Sequence, residues 1–255
     1  MITINIIGSG NVAHHLIREI LSHDDLHLQQ IYARNIKNLP NDFSKNVVIC
    51  QDIQNLKPAD VTLISVSDNA INEVSSMLPF SDNLVVHTSG TTALEILDSS
   101  NRRGVFYPLQ TFSKNKKVAF DKIPICLEAE NKNDLALLEK LAKILSKEVH
   151  FINSEQRKSI HVAAVFVNNF TNHLCTIAED ICQENQIPFK ILQPLLQETV
   201  SKLDFLSPQK AQTGPAVRHD QKTIDAHTNF INNELTKKIY QNLTQSIQEY
   251  HGRKL

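Results

Sequence analysis

The chain has no excess of either charge. Its 26 Lys and Arg stand against 27 Asp and Glu, a net charge of -1, so no whole-molecule field draws it to nucleic acid or to an anionic membrane, and any anion site has to be built locally. It has no apolar stretch approaching the ~20 residues that a membrane span needs. Strand-like residues begin at Ile2, which leaves no space for a basic segment followed by an apolar one of the secretory kind. A soluble cytoplasmic protein is expected, with neither nucleic acid nor membrane as partner. The four cysteines, Cys50, Cys126, Cys175 and Cys182, include no CxxC pair, and free thiols in a reducing compartment account for them most simply. His161, His219, Asp220 and His227 lack the compact spacing of a metal site, so no metal is expected. Internal repeats and low-complexity tracts are absent as well.

What is present is material for two cores: 41% of 255 residues are hydrophobic. Ile4-Asn5-Ile6-Ile7 is a short apolar strand running straight into Gly8-Ser9-Gly10-Asn11-Val12-Ala13, a GxGxxA turn. A lone glycine motif says little. This one ends an apolar run, opens a helical pattern at Val12, Ala13, Leu16, Ile17, Ile20 and Leu21, and precedes a second apolar run, the context that a dinucleotide-binding turn requires. Gly8 permits the tight turn, Gly10 lets a diphosphate approach the backbone, and Ala13 keeps helix and strand close. The free N–H groups at the helix start then receive negative charge. The plain alternative is an ordinary strand-to-helix turn.

Further strands are expected at 28–33, 47–49, 61–66, 84–87, 104–107, 123–127 and 149–151, with an amphipathic helix over 133–146. The fourth strand is nearly unbroken in apolar character, as a strand covered on both faces should be. Alternation of strand and helix predicts an α/β domain with a doubly wound parallel sheet over 1–153. Beyond Asn153 the strand pattern stops and an all-helical domain is expected over 154–255. Its first helix, 154–186, is apolar on every side in the middle and is expected to be buried. Pro188 starts another helix, a loop spans 207–220, and a last amphipathic helix runs through Phe230 to Tyr250.

An NAD site places an acid about 20 residues past the glycines to hold the ribose hydroxyls. Arg34 stands there instead, and a guanidinium favours the 2′-phosphate of NADP over NAD; the alternative is a solvated surface arginine. Ser65, Val66 and Ser67 close the fourth strand where a ligand crevice forms, so contact with a cofactor ribose is expected, compatible with helix capping by Asp68 or Asn69. His87-Thr88-Ser89-Gly90 closes the fifth strand, and Thr92 and Glu95 have capping-box spacing for a helix after it. Ser89 and Gly90 offer a substrate contact, while His87 either transfers a proton or makes a structural hydrogen bond. The Tyr107-Pro108 segment walls the same crevice.

On the long helix His161, Asn168 and Asn172 fall at i, i+7 and i+11, one face, with Asn169 and His173 on the adjoining face. Polar groups in so apolar a stretch need partners, since an unpaired buried amide costs about 1–3 kcal/mol. They form a site or polar interface, or bond neighbouring helices. Arg218, in the turn 213–220, either closes over a substrate carboxylate or pairs with Asp220.

Taken together, GSGNVA, SVSDNA, HTSG, FYPLQTF, HVAAVFVNNFTNHL and TGPAVRHD make the chain resemble the Rossmann-like bacterial proteins with a C-terminal domain of unknown function. These are relatives of pyrroline-5-carboxylate reductase, deazaflavin-dependent NADP reductases and the 3-hydroxyacid dehydrogenases. The resemblance covers nearly the whole chain. It implies an NAD(P)-binding domain followed by a helical domain like that of 6-phosphogluconate dehydrogenase, and a homodimer formed through those helices. One departure matters: the hydroxyacid dehydrogenases carry a catalytic lysine one turn before an asparagine on this helix, where Ala164 and Val165 stand here. His161 is then the nearest proton-transfer candidate, with Lys158 too far round the helix.

The expectation is an NADP-dependent oxidoreductase that moves hydride to or from a small carbonyl or imine substrate. Gly8, Ser9, Gly10, Asn11, Val12, Arg34 and the Ser65, Val66 and Ser67 backbone would hold the cofactor. Ser89, Gly90, Asn172 and Arg218 would hold substrate, and Asn168 with His161 or His87 would serve the chemistry. The rival reading is a non-catalytic NADP-binding sensor or scaffold, which the missing lysine favours.

Overall fold

In the computed structural model the described residues are 1–36, 39, 43, 47–114 and 116–252. They part into two compact units, Met1–Asn168 and Asn169–Leu255. The first is built on one eight-stranded sheet of order β3-β2-β1-β4-β5-β6-β7-β8. Its strands are β1 (Ile2–Ile7), β2 (Leu26–Tyr32), β3 (Val48–Cys50), β4 (Val61–Ile64), β5 (Leu84–His87), β6 (Arg102–Pro108), β7 (Ile125–Ala129) and β8 (Val149–Phe151). Ile4, Ile6, Ile7, Leu63 and Ile64 in the central strands have no exposed surface. Each such side chain contributes about 1.5–3 kcal/mol by leaving water. Helix α1 (Asn11–Leu21) returns from β1 to β2 and buries Ala13, Leu16, Ile17 and Ile20, the i, i+3, i+4, i+7 stripe visible in the sequence.

All neighbouring strands run parallel except β6 and β7, which pair antiparallel from Gly104 opposite Ala129 to Pro108 opposite Ile125. The sheet is thus mostly parallel, as the strand pattern predicts, with this one antiparallel pair that the pattern does not reveal. Parallel neighbours need a long crossover, normally a helix, and the described residues of 109–124 carry only a single 3-10 turn, Phe120–Lys122. The helix expected after β5 is also absent among the described residues. A 3-10 turn, Leu94–Ile96, stands in its place, with Ala93 rather than Thr92 at its start. Short helix α2 (Ile71–Ser76) follows β4, and α3 (Lys132–Leu145) joins β7 to β8.

The texture change at Asn153 corresponds to a helix start. Asn153 accepts from the Gln156 N–H at 2.9 Å and Gln156 answers to the Asn153 N–H at 3.0 Å, a reciprocal cap on α4 (Ser154–Ala164). Compactness assigns α4 to the sheet-bearing unit, which reaches Asn168. The helical run 154–186 is not uniform. Residues Val165–Phe170 form a π-helix before α5 (Thr171–Glu184) begins. Nor is its middle buried: Val162, Phe166 and Val167 are 56%, 63% and 76% exposed in the single chain. Both expectations are corrected, because an apolar composition marks a surface to be covered without saying whether the same chain covers it.

The second unit holds α5, α6 (Gln193–Ser201), α7 (Pro208–Ala211), α8 (Gln221–Phe230) and α9 (Glu234–Gly252). Within it His227 Nδ1 and the Tyr240 hydroxyl lie 2.9 Å apart, tying α8 to α9. All four cysteines are free. No helix among the described residues is long and apolar enough to cross a membrane.

Candidate functional site

The strand order reverses between β1 and β4, and a doubly wound sheet opens its crevice at such a point, beyond the carboxyl ends of the strands. Gly8 lies there with φ +134°, and a Cβ on it would sit 2.1 Å from the Ser65 carbonyl oxygen, so only glycine lets the ends of β1 and β4 come together. Its N–H donates to the Tyr32 carbonyl at 2.8 Å, and the Ser65 N–H donates to the Ile7 carbonyl at 2.7 Å. Gly10, the residue before α1, is different. A Cβ there would meet nothing within 4 Å, and the first turn of α1 carries neither a capping side chain nor an acid. The positive end of that helix therefore faces open space, an arrangement that fits a diphosphate.

This space belongs to a cleft of about 670 Å³ that includes Gly8, Ser9, Gly10, Asn11 and Val12. On the β2 side Arg34 lines it, exposed, without an ion pair among the described residues. Ser65, Val66, Ser67 and Asp68 form its floor. The Asn11 side chain is engaged elsewhere: its Nδ2 donates to the Phe112 carbonyl at 2.8 Å, and His15 Nε2 donates to the Ser113 carbonyl at 3.0 Å. Asn11 thus offers a ligand its backbone N–H.

Toward β6 the cleft is lined by Ser89, Gly90, Tyr107 and His161. The Tyr107 hydroxyl and His161 Nδ1 are 3.0 Å apart. Gly90 makes this meeting possible, since a Cβ there would lie 2.3 Å from His161 Nδ1 and 2.8 Å from Tyr107 Cζ. Burial, helped by the Cys126 thiol and the Asp68 carboxylate, pushes the Tyr107 phenol up to about 12, against the opposing charge of Arg157. The phenol therefore keeps its proton at neutral pH. Whichever way the bond is directed, Nδ1 is occupied by Tyr107 and Nε2 is the ring nitrogen left to exchange a proton.

His87 lies outside the cleft lining, fully buried at the end of β5. Its Nδ1 accepts the Ser89 N–H at 3.1 Å. Burial first, then the charge of Arg157, bring its pKa down to about 4, while the Ala93 carbonyl and Asp68 pull the other way. The Ala93 carbonyl does so without a well-formed hydrogen bond, for Nε2 has no partner among the described residues. Ser89 Oγ accepts the N–H groups of Thr91 and Thr92 at 3.2 and 3.0 Å and donates to the Thr92 hydroxyl at 2.9 Å. Its hydroxyl thereby fixes the loop, and Thr92 is drawn into that network instead of a capping box with Glu95. Asp68 accepts the Thr91 hydroxyl at 2.7 Å, and no side-chain cap links Asp68 or Asn69 to α2.

Of the other residues singled out in the sequence, Asn168 lies exposed in the π-helix and does not line the cleft, while Asn172 and Arg218 are exposed in the second unit. The common face expected for His161, Asn168 and Asn172 assumed uninterrupted α-helix. The π turns over Val165–Phe170 bond i to i+5, so the α-helical spacing on which that face was counted does not hold there. Sequence reasoning missed the Tyr107 contact to His161 and the ion pair of buried Arg157 with half-buried Glu128 behind it. Arg157, 1% exposed, donates through Nη1 to Glu128, and through Nη2 to the Thr92 carbonyl at 2.6 Å and to Ser154 Oγ at 3.1 Å. Set between Glu155 and Lys158, it reads in sequence as another solvated charge. The available signal was its position one turn before His161.

No curated protein matches the chain. Residues 123–247 match DUF2520, a domain of unknown function. Among solved structures, a candidate NADP oxidoreductase from Bacteroides fragilis is 34% identical, with 97% of this chain and 98% of that one covered and a TM-score of 0.88. A protein from Thermotoga maritima is 20% identical over 98% of this chain and 100% of its own, with a TM-score of 0.80. An imine reductase from Myxococcus stipitatus in complex with NADP+ is 13% identical over 97% of this chain and 92% of its own, with a TM-score of 0.65. The last two likenesses concern the fold alone. With a relative matched end to end at 34% identity and the DUF2520 model spanning its C-terminal half, the chain belongs to the family of Rossmann-like proteins that carry this C-terminal domain of unknown function.

Proposed function

We propose that the protein is an NADP-dependent oxidoreductase that moves hydride between the nicotinamide and a small carbonyl or imine compound. One observation carries the reading: a single cleft joins an open helix N-terminus and Arg34 on its β2 side to the Tyr107–His161 pair on its β6 side. When bound, a nicotinamide dinucleotide would donate or accept the hydride. The first-turn N–H groups of α1 hold the diphosphate, and the Arg34 guanidinium takes the 2′-phosphate through charge-assisted hydrogen bonds. Reduction leaves charge on the oxygen or nitrogen beside the reacting carbon, and His161 Nε2 exchanges a proton with that atom. Tyr107 orients the ring from its other nitrogen. His87, buried and neutral, shapes the loop that carries Ser89 and Gly90. In this reading residues 1–153 bind the coenzyme and residues 154–255 supply His161 and the surface for a homodimer. The apolar exposure of Val162, Phe166 and Val167 supports such a surface.

The test is titration of the purified protein with NADPH and NADH, followed by the coenzyme's own emission, and then turnover of a panel of small aldehydes, ketones and cyclic imines. NADPH is expected to bind more tightly. Failure to bind either coenzyme removes the proposal. A His161→Ala variant is expected to bind NADPH as the wild type does and to lose turnover. Binding with no turnover in the wild type across the panel favours the sensor or scaffold reading.

A further inference from the structure

Among the described residues Arg157 is the largest side chain that is almost wholly buried, and its Nε has no hydrogen-bond partner among them. Its remaining contacts reach three elements. Nη1 meets the Glu128 carboxylate on β7, and Nη2 meets the Thr92 carbonyl at 2.6 Å, two residues beyond Gly90. Nη2 also reaches Ser154 Oγ at 3.1 Å, at the start of α4. Glu128 completes the junction by accepting the Ser154 N–H and the Ser154 hydroxyl, both at 2.9 Å. Ser154 Oγ in turn accepts the Leu94 N–H at 3.2 Å. Arg157 and His161 stand at i and i+4 of α4, on one face of the helix.

A buried ion pair is weak evidence for stability, because desolvating two charges offsets most of their attraction. Its contribution here is to geometry. We infer that Arg157, paired with Glu128, is the positioning residue of the Tyr107–His161 pair, pinning α4 to the Gly90-bearing loop and to β7 so that imidazole and phenol meet over Gly90. The inference rests on the proposal that this pair handles the proton. The guanidinium charge lowers the pKa of His87, Tyr107 and Cys126 alike. Asp68, on the loop after β4, bears on His87 and Tyr107 from the cleft side.

Apolar replacement of both partners separates positioning from mere support, since it leaves no unpaired buried charge behind, and the readout is the His161 ring itself. The full-length protein is labelled with nitrogen-15 histidine, the His161 signals are assigned as those missing from His161→Gln, and Tyr107→Phe supplies the reference for an unbonded Nδ1. The Arg157→Met, Glu128→Leu double variant is expected to fold with a lowered denaturation midpoint, since the Ser154 N–H and the Thr92 carbonyl lose a partner, while His161 Nδ1 moves to the Tyr107→Phe position. A folded double variant whose His161 signals coincide with wild type overturns the inference. Should that variant not fold, Arg157→Lys, which keeps the charge and loses the fork, is expected to move the same signal, and an unmoved signal is again decisive against it. NADPH titration of the wild type tests the underlying proposal separately: failure there leaves the nitrogen-15 result standing.

Discussion

A Cβ at position 90 would lie 2.3 Å from His161 Nδ1 and 2.8 Å from Tyr107 Cζ, two rings that cannot retreat without parting from each other. Gly90→Ala is therefore expected to cost about 1–3 kcal/mol, the range for overpacking. Denaturant titration should show that loss, while NADPH affinity stays at the wild-type value and turnover disappears. At Arg34 the effect is one of selectivity. Hydrogen bonds to charged groups contribute about 1.5–3 kcal/mol, so Arg34→Ala should weaken NADPH by about tenfold or more and leave NADH unchanged. His87 supplies a pH dependence. Its imidazole ionises at about 4 in the folded chain against 6.5 in the unfolded one, so between those values the unfolded chain binds more protons. The stabilisation is complete above pH 6.5 and drains as the pH falls toward about 4, for a total of about 3 kcal/mol. His87→Asn keeps an acceptor for the Ser89 N–H and should flatten this part of the stability profile. An unchanged slope would assign the acid sensitivity to other groups.

Among elements, β1, the glycine turn and α1 were legible because strand period, turn residue and helix period change within a few positions. Gly8→Ala tests that unit. It adds a side chain at φ +134° against the Ser65 carbonyl, and a loss of about 3 kcal/mol or more is expected in thermal or denaturant unfolding. Strand direction was less legible, because alternation of apolar residues does not encode it. The direction of β7 goes with a connection, 109–124, whose described residues hold no helix for a parallel crossover. The helix predicted after β5 failed for a local reason: Ser89 captures the Thr92 N–H and hydroxyl, so the spacing of Thr92 and Glu95 had no helix to cap. The π-helix over Val165–Phe170 was hidden because a fixed helical period assumes the bonding pattern that the segment abandons. That is why the Asn168 and Asn172 readings lost their common face while His161, before the change, lines the cleft.

For the whole molecule, the apolar run on the first long helix reads identically in sequence whether it meets its own chain or another copy. In the single chain Val167 is 76% exposed and Phe205 86%. The protein is expected to sediment as a dimer, and Val167→Glu to sediment as a monomer, the charge being unpaid for in an apolar contact. A wild type that sediments as a monomer at micromolar concentration removes the dimer from the proposal. The cleft has its own large-scale property. Asn11 and His15 on α1 hold the Phe112 and Ser113 carbonyls, so the helix at one side of the crevice carries the chain that leaves β6 just beyond Tyr107 at the other. The two sides share one frame, so that a shift of α1 would carry the far wall with it.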